Sequence, residues 1–110
     1  MFFAAGRNVY PSDVEAAVVE VPGVRVGGVA AFGVAAADGD RLVVAVESVG
    51  HQPEAVRRAV RSAVLDEVGL TPAEVAVLPP RRLPKTSSGK LRRAETRRRY
   101  ESGELTEPAG

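Results

Sequence analysis

Cysteine is absent from the 110 residues and histidine occurs once, at His51. The first absence excludes a disulfide scaffold, a thiol nucleophile and a zinc site built on cysteine. The second excludes a cluster of histidine ligands, so no metal site is expected. The lack of cysteine is compatible with a reducing cytoplasm, which is the expected location. The opening Met1-Phe2-Phe3-Ala4-Ala5 is too short for a signal peptide or a membrane span. Lysine is almost as scarce: among fifteen basic residues only Lys85 and Lys90 are lysines, and both lie between Pro84 and Arg93.

The length predicts one small domain over residues 1–101, able to bury a modest core without staples. Residues 102–110 are rich in Pro, Gly and Glu, lack a pattern and are expected to fray. The net charge of +1 hides an asymmetry. Residues 81–99 carry nine Arg or Lys against one acid, Glu95, giving +8 there and −7 over the rest. Such a patch can focus anions toward itself. For Arg97, Arg98 and Arg99 a solvated helix face is the better reading. Nucleic acid is a disfavoured partner, because Tyr100 is the one aromatic interleaved with this charge.

Periodicity predicts an α+β fold with a central sheet of at least three strands flanked by helices. Residues 2–5 read as a short strand and residues 6–11 as a turn. Ser12-Asp13-Val14-Glu15 has capping-box spacing for a helix that runs to about Val21. Residues 24–32 read as a strand with a bulge at Gly27 and Gly28, and Asp38-Gly39 marks a hairpin into a strand over residues 42–49. The run Leu42-Val43-Val44-Ala45-Val46 suits a central strand covered on both faces. A second helix opens at Pro53, buries Val56, Val60 and Val64, turns Arg57, Arg58 and Arg61 away, and ends at Gly69. Thr71-Pro72-Ala73-Glu74 signals one further helical turn. A strand at 75–78 and a last helix at 92–101 complete the outline, the latter with few apolar residues to bury.

The segment Thr86-Ser87-Ser88-Gly89-Lys90 places Gly-Lys behind small hydroxyl residues, yet it is not a Walker loop. Pro84 stands where the first glycine is required, and Leu91 stands where Ser or Thr is required. What the segment can do is deliver the Lys90 ammonium to charge developing between a carboxylate oxygen and a phosphoryl group. An exposed basic turn used for solubility is the competing reading, and the residues alone do not separate the two. The chain offers no acid–base pair and no phosphate cradle of its own, which implies that a pocket for Lys90 would lie on another domain.

Two ordered motifs resemble those of the carboxy-terminal domain of adenylate-forming enzymes, which include acyl-CoA synthetases, nonribosomal peptide synthetase adenylation domains and luciferases. Pro84, Gly89, Lys90, Leu91 and Arg93 meet the pattern Pro-x-x-x-x-Gly-Lys-[hydrophobic]-x-Arg. The stretch Gly6-Arg7-Asn8-Val9-Tyr10-Pro11-Ser12-Asp13-Val14-Glu15 is similar to the motif that follows the interdomain hinge, in the variant typical of fatty acyl-AMP ligases. The resemblance implies a lid that works with a large amino-terminal adenylation domain, which would bind ATP, Mg²⁺ and the fatty acid. It further implies that Lys90 is the adenylation lysine, that Thr86, Ser87, Ser88 and Gly89 form the loop at the acyl phosphate, and that Gly6, Arg7, Asn8, Tyr10 and Pro11 form the loop used when the acyl group passes to the phosphopantetheine arm of an acyl carrier protein. The hinge would precede residue 1, so an excised or separately encoded lid, inactive alone, is expected. A lid of a fatty acyl-CoA synthetase and a noncatalytic basic module that holds a carrier protein are the alternatives.

Overall fold

The uninterrupted apolar run at residues 42–46 cannot leave either side of its strand in water, and the architecture follows from that. The computed structural model describes residues 1–4, 6–37, 39–50, 52–84 and 92–105. In chain order these form β1 (Phe2–Ala4), β2 (Arg7–Val9), α1 (Pro11–Val19), β3 (Val24–Ala36), β4 (Gly39–Ser48), α2 (Pro53–Val68), β5 (Glu74–Leu78) and α3 (Arg93–Glu101). Strand β4 lies between β3, antiparallel to it, and β5, parallel to it. Leu42 to Val46 are all buried. One face packs Val29, Ala31, Val44, Val46, Val75 and Val77 against α1 and α2. The other face packs Ala30, Phe32, Val43, Ala45, Ala76 and Leu78 against Leu83, Leu105 and Tyr100. The α+β fold with a three-stranded sheet flanked by helices is therefore observed.

Helix α2 has the expected start, buried stripe and stop. It opens on Pro53, buries Val56, Val60 and Val64, and ends at Gly69 in the left-handed region at φ 82°. Each of those valines contributes roughly 1.5–3 kcal/mol on full burial. The bulge is also present, since the β3–β4 register shifts between Val24 and Val29, with Gly27 at φ 79°. Asp38 lies outside the described residues, and Ala36↔Gly39 is the last pair of the β3–β4 ladder. Among the described residues no helix is long and apolar enough to cross a membrane.

Several local expectations are corrected. Arg7–Val9 is not a turn but the second strand of a small antiparallel hairpin, paired Phe2↔Val9, Phe3↔Asn8 and Ala4↔Arg7. No capping box forms. Helix α1 begins at Pro11, whose fixed φ suits the first helical position, and its N-cap is Tyr10 with no side-chain cap bond. Glu15, free of that duty, reaches elsewhere. Residues 71–73 are not helical, because the Ala73 N–H donates to the Leu42 carbonyl at 2.8 Å and draws the chain into β5. Arg57 does not face away: its Nε donates to the Val75 carbonyl at 3.1 Å. Ser102–Leu105, expected to fray, folds back on α3, with the Glu104 and Leu105 N–H groups on the Arg99 carbonyl and Leu105 buried.

The hairpin β1–β2 is held to the sheet through a close approach at Gly33. A Cβ there would lie 2.7 Å from Cγ and Cδ2 of Phe2, so any side chain must displace the ring. Gly33→Ala is expected to cost roughly 1–3 kcal/mol as an overpacked contact. Adding Phe2→Ala should remove most of the clash. The check is a double-mutant cycle by urea unfolding; additive losses would show that Phe2 does not transmit the strain.

Candidate functional site

The first candidate loop is built on the hairpin. Gly6 sits at its turn with φ 76°, a conformation that favours glycine. Arg7 and Asn8 lie exposed on β2, Tyr10 is half-exposed ahead of α1, and Pro11 starts that helix. The structure therefore brings these five residues together. Arg7 has a local contact as well: a Cβ on Gly69 would lie 2.9 Å from its Nη1. Helix α2 has no basic residue in its own last turn, so Arg7 supplies positive charge at that carbonyl end. A groove of about 990 Å³ between α1 and α2 is lined by Arg7, Asn8 and Tyr10 together with Asp13, Glu20, Asp66 and Glu67. Four carboxylates against one guanidinium make it a poor seat for a polyanion.

The second candidate loop carries Thr86, Ser87, Ser88, Gly89 and Lys90, which lie outside the described residues, as does Lys85. Its two ends are described. The Arg92 N–H donates to the Pro84 carbonyl at 2.9 Å, so residues 84 and 92 are tied together. Leu83 is buried against the α3 face of the sheet, whereas Ala4 and Val9 of the hairpin are buried in the α1–α2 core. The anchors of the two loops thus belong to opposite layers.

The last residues of the two motifs meet each other. Glu15 on α1 accepts two hydrogen bonds from Arg93 on α3, from Nε at 2.9 Å and from Nη2 at 2.5 Å. The same carboxylate accepts the Ala31 N–H at 2.9 Å, on the outer side of edge strand β3. One side chain therefore blunts the sheet edge and joins the helices of the two layers. The hydrogen bond to Glu15 holds the Arg93 guanidinium above its ordinary value.

Part of the cationic segment is compensated in the same way. Arg97 pairs with Glu101, Arg98 with Glu95 and Glu104, and Arg99 with Glu95. Hydrogen bonds from Arg98 and then Arg99 hold the Glu95 carboxyl down at about 2. Arg81, Arg82 and Arg92 are exposed and have no ion pair among the described residues. Uncompensated guanidinium charge is therefore found at the two ends of the lysine loop.

Residues 6–98 match the family described as AMP-binding enzyme C-terminal domain. This chain belongs to that family. Among its relatives, Rv1013 of Mycobacterium tuberculosis, named as a ligase, is 45% identical over 97 residues, covering 84% of this chain and 18% of that protein. The long-chain-fatty-acid–AMP ligase FadD26 of Mycobacterium marinum is 36% identical over 103 residues, covering 88% of this chain and 18% of that protein. The solved structure of McyG A-PCP complexed with phenylalanyl-adenylate superposes with a TM-score of 0.82 at 31% identity, covering 92% of this chain and 19% of that one. The chain thus spans under a fifth of the length of these relatives.

Within this AMP-binding C-terminal domain, sequence reasoning gave no role beyond helix capping to Glu15 and none to Glu47. Glu15 does not cap; its separation from Arg93 in sequence hid their contact. Glu47 carried a visible signal, as the one acid in the apolar stretch of β4.

Two predictions follow from the packing of α3. Arg93 is partly exposed, so its pair is screened, and Arg93→Ala should cost at most about 1 kcal/mol. Glu15→Ala should cost more, roughly 1–3 kcal/mol, because it also strands the Ala31 N–H. Urea unfolding of both variants provides the comparison, and equal losses would remove the edge bond from the account. Tyr100 packs edge-on against Phe32 with ring centroids 5.6 Å apart and donates its hydroxyl to Glu74. Burial first, then that hydrogen bond, pushes Tyr100 from 10.0 up to about 12. Its neutral form therefore adds stability that is complete below pH 10 and is lost as pH rises toward 12. Tyrosinate absorbance should show one late-titrating tyrosine that Tyr100→Phe abolishes.

Proposed function

We propose that this chain is the lid of a fatty acyl-AMP ligase, with Lys90 as the cation that serves adenylation and residues 6–11 as the loop that serves acyl transfer. The observation that supports this best is that the described anchors of the two motif segments belong to opposite layers of the sheet. A lid built so can present either segment, but not both, to one site on a larger partner. The uncompensated charge of Arg81, Arg82 and Arg92 beside the lysine loop also suits a phosphate-bearing ligand. The relatives named as a fatty-acid–AMP ligase and as an A-PCP structure favour a fatty acid as the substrate and a carrier protein's phosphopantetheine arm as the acceptor.

In this reading a large amino-terminal adenylation domain binds ATP, Mg²⁺ and the fatty acid. Magnesium would screen the phosphates there. Among the described residues of this chain no group of three His, Asp or Glu fits a metal ion, and no step assigned to the chain runs through one. The contribution of Lys90 is electrostatic. Its ammonium sits where the carboxylate oxygen meets the phosphoryl group and offsets charge as it redistributes. The isolated chain should fold and turn over no ATP.

The test is a reconstituted enzyme in which the two half-reactions are followed separately. Removing a preorganised electrostatic group of this kind lowers the rate on the order of 10²–10³-fold. Lys90→Ala should therefore cripple pyrophosphate exchange while leaving thermal unfolding unchanged. Arg7→Ala should lower transfer to the carrier protein more than exchange. Near-wild-type exchange by the Lys90→Ala enzyme would overturn the reading and favour a noncatalytic basic module.

A further inference from the structure

Glu47 is fully buried at the end of β4, in register with Leu78 of β5. Burying a carboxylate in such a place is costly, and hydrogen bonds to it offset part of that cost. Its Oε2 accepts the backbone N–H of Arg82 at 2.7 Å and of Leu83 at 2.9 Å. Two successive N–H groups converging on one anion form a small concave nest. The residue just before them, Arg81, has φ 67°, and it is the one non-glycine residue at positive φ among the described residues. A bulky residue holds that conformation only where the surroundings impose it. Glu47 imposes it by drawing the next two N–H groups inward.

Space for this carboxylate is made from the opposite strand. A Cβ on Gly28 would lie 2.7 Å from Oε1 and 2.9 Å from Cβ of Glu47. Gly28 is not at positive φ, so it is the contact with Glu47, not the backbone conformation, that calls for glycine there. On the other side of the nest, Leu83 and Pro84 are buried, and the Pro84 carbonyl takes the Arg92 N–H. Gly28, Glu47, residues 81–84 and Arg92 therefore form one connected support. It leads from the middle of the sheet to both ends of the lysine segment.

We infer that Glu47 is a positioning residue for adenylation: its buried carboxylate fixes the base from which the segment bearing Lys90 extends. This rests on the reading of Lys90 above. A purely structural acid would serve the whole domain alike. A positioning acid should matter for the half-reaction that uses the lysine segment, and not for the one that uses the hairpin in the other layer.

The test uses Glu47→Gln, which keeps shape but weakens the acceptor, and Gly28→Ala, which crowds the same carboxylate from behind. In the 110-residue chain, amide hydrogen exchange at residues 82, 83 and 92 should rise at least tenfold in both variants, with α2 and the β3–β4 pairing at wild-type protection. In the reconstituted enzyme, pyrophosphate exchange should fall about tenfold or more, while transfer from preformed acyl-adenylate to the carrier protein stays within about twofold. Unchanged amide exchange at 82, 83 and 92, or equal loss in both half-reactions, overturns the inference. Wild-type pyrophosphate exchange in Glu47→Gln beside a crippled Lys90→Ala enzyme overturns it too, and leaves the lysine reading standing. Wild-type exchange in Lys90→Ala itself overturns both.

Discussion

Because residues 42–46 are apolar without interruption, β4 must be covered above and below, and a single helical layer would not suffice. Two helices are recruited to one face and a third, with the chain on either side of it, to the other. This requirement decides in which layer each of the two motif segments is anchored. The hairpin ahead of α1 has to join the α1–α2 layer, because Ala4 and Val9 are part of its core. The segment that follows β5 has to cross to the other layer, because Leu83 is buried there. Loop anchors in opposite layers of a small domain are thus a by-product of burying one strand.

Layers separated by a sheet need something to hold them in register, and the apolar contacts of α3 are sparse. Its buried residue is Thr96, whose hydroxyl turns back to the Arg92 carbonyl, so Tyr100 and Leu105 provide the hydrophobic contact. The Glu15–Arg93 pair adds direction to that contact. It is bidentate, and planar guanidinium geometry allows one orientation of the two helices. Partial exposure keeps its energy small. Its worth lies in alignment: the first turn of the helix after the lysine segment is held to the helix after the hairpin.

The central strand, helix α2 with its proline start and glycine stop, and the bulge at Gly27 were legible in the sequence, because each follows from local pattern. The misreadings share a cause. Arg7–Val9 looked like a turn since three polar-to-apolar residues carry no usable period, and it became a strand through pairing with Phe2–Ala4. Ser12 and Glu15 had capping spacing, but Pro11 had already set the helix start and Arg93, far along the chain, had claimed the glutamate. Arg57 was assigned to solvent by helical phase, and a carbonyl of β5 drew it in. Of the candidate site, residues 6–11 were singled out by their motif, while the lysine segment falls outside the described residues. Glu47 and the Glu15–Arg93 pair were not legible as site elements, since long-range polar contacts leave no period in a sequence.

The division of labour between arginine and lysine has a physical sense in this arrangement. Every basic residue outside the segment 85–90 is an arginine. Arg93, Arg97, Arg98 and Arg99 each hold an acid, and Arg57 holds both Glu54 and a strand carbonyl. A fork of fixed geometry loses less freedom per hydrogen bond, which suits side chains that stay where they are. An ammonium on a flexible stem is the better choice where a cation must approach a ligand that the domain does not itself contain. A rigid base beneath it then matters more, because the reach of a flexible side chain is only as well aimed as the backbone from which it starts. Burying a carboxylate under residues 81–83 is a costly way to fix a loop in a domain whose core could have been wholly apolar. That cost is understandable if placement of the segment, more than stability, is what the domain requires.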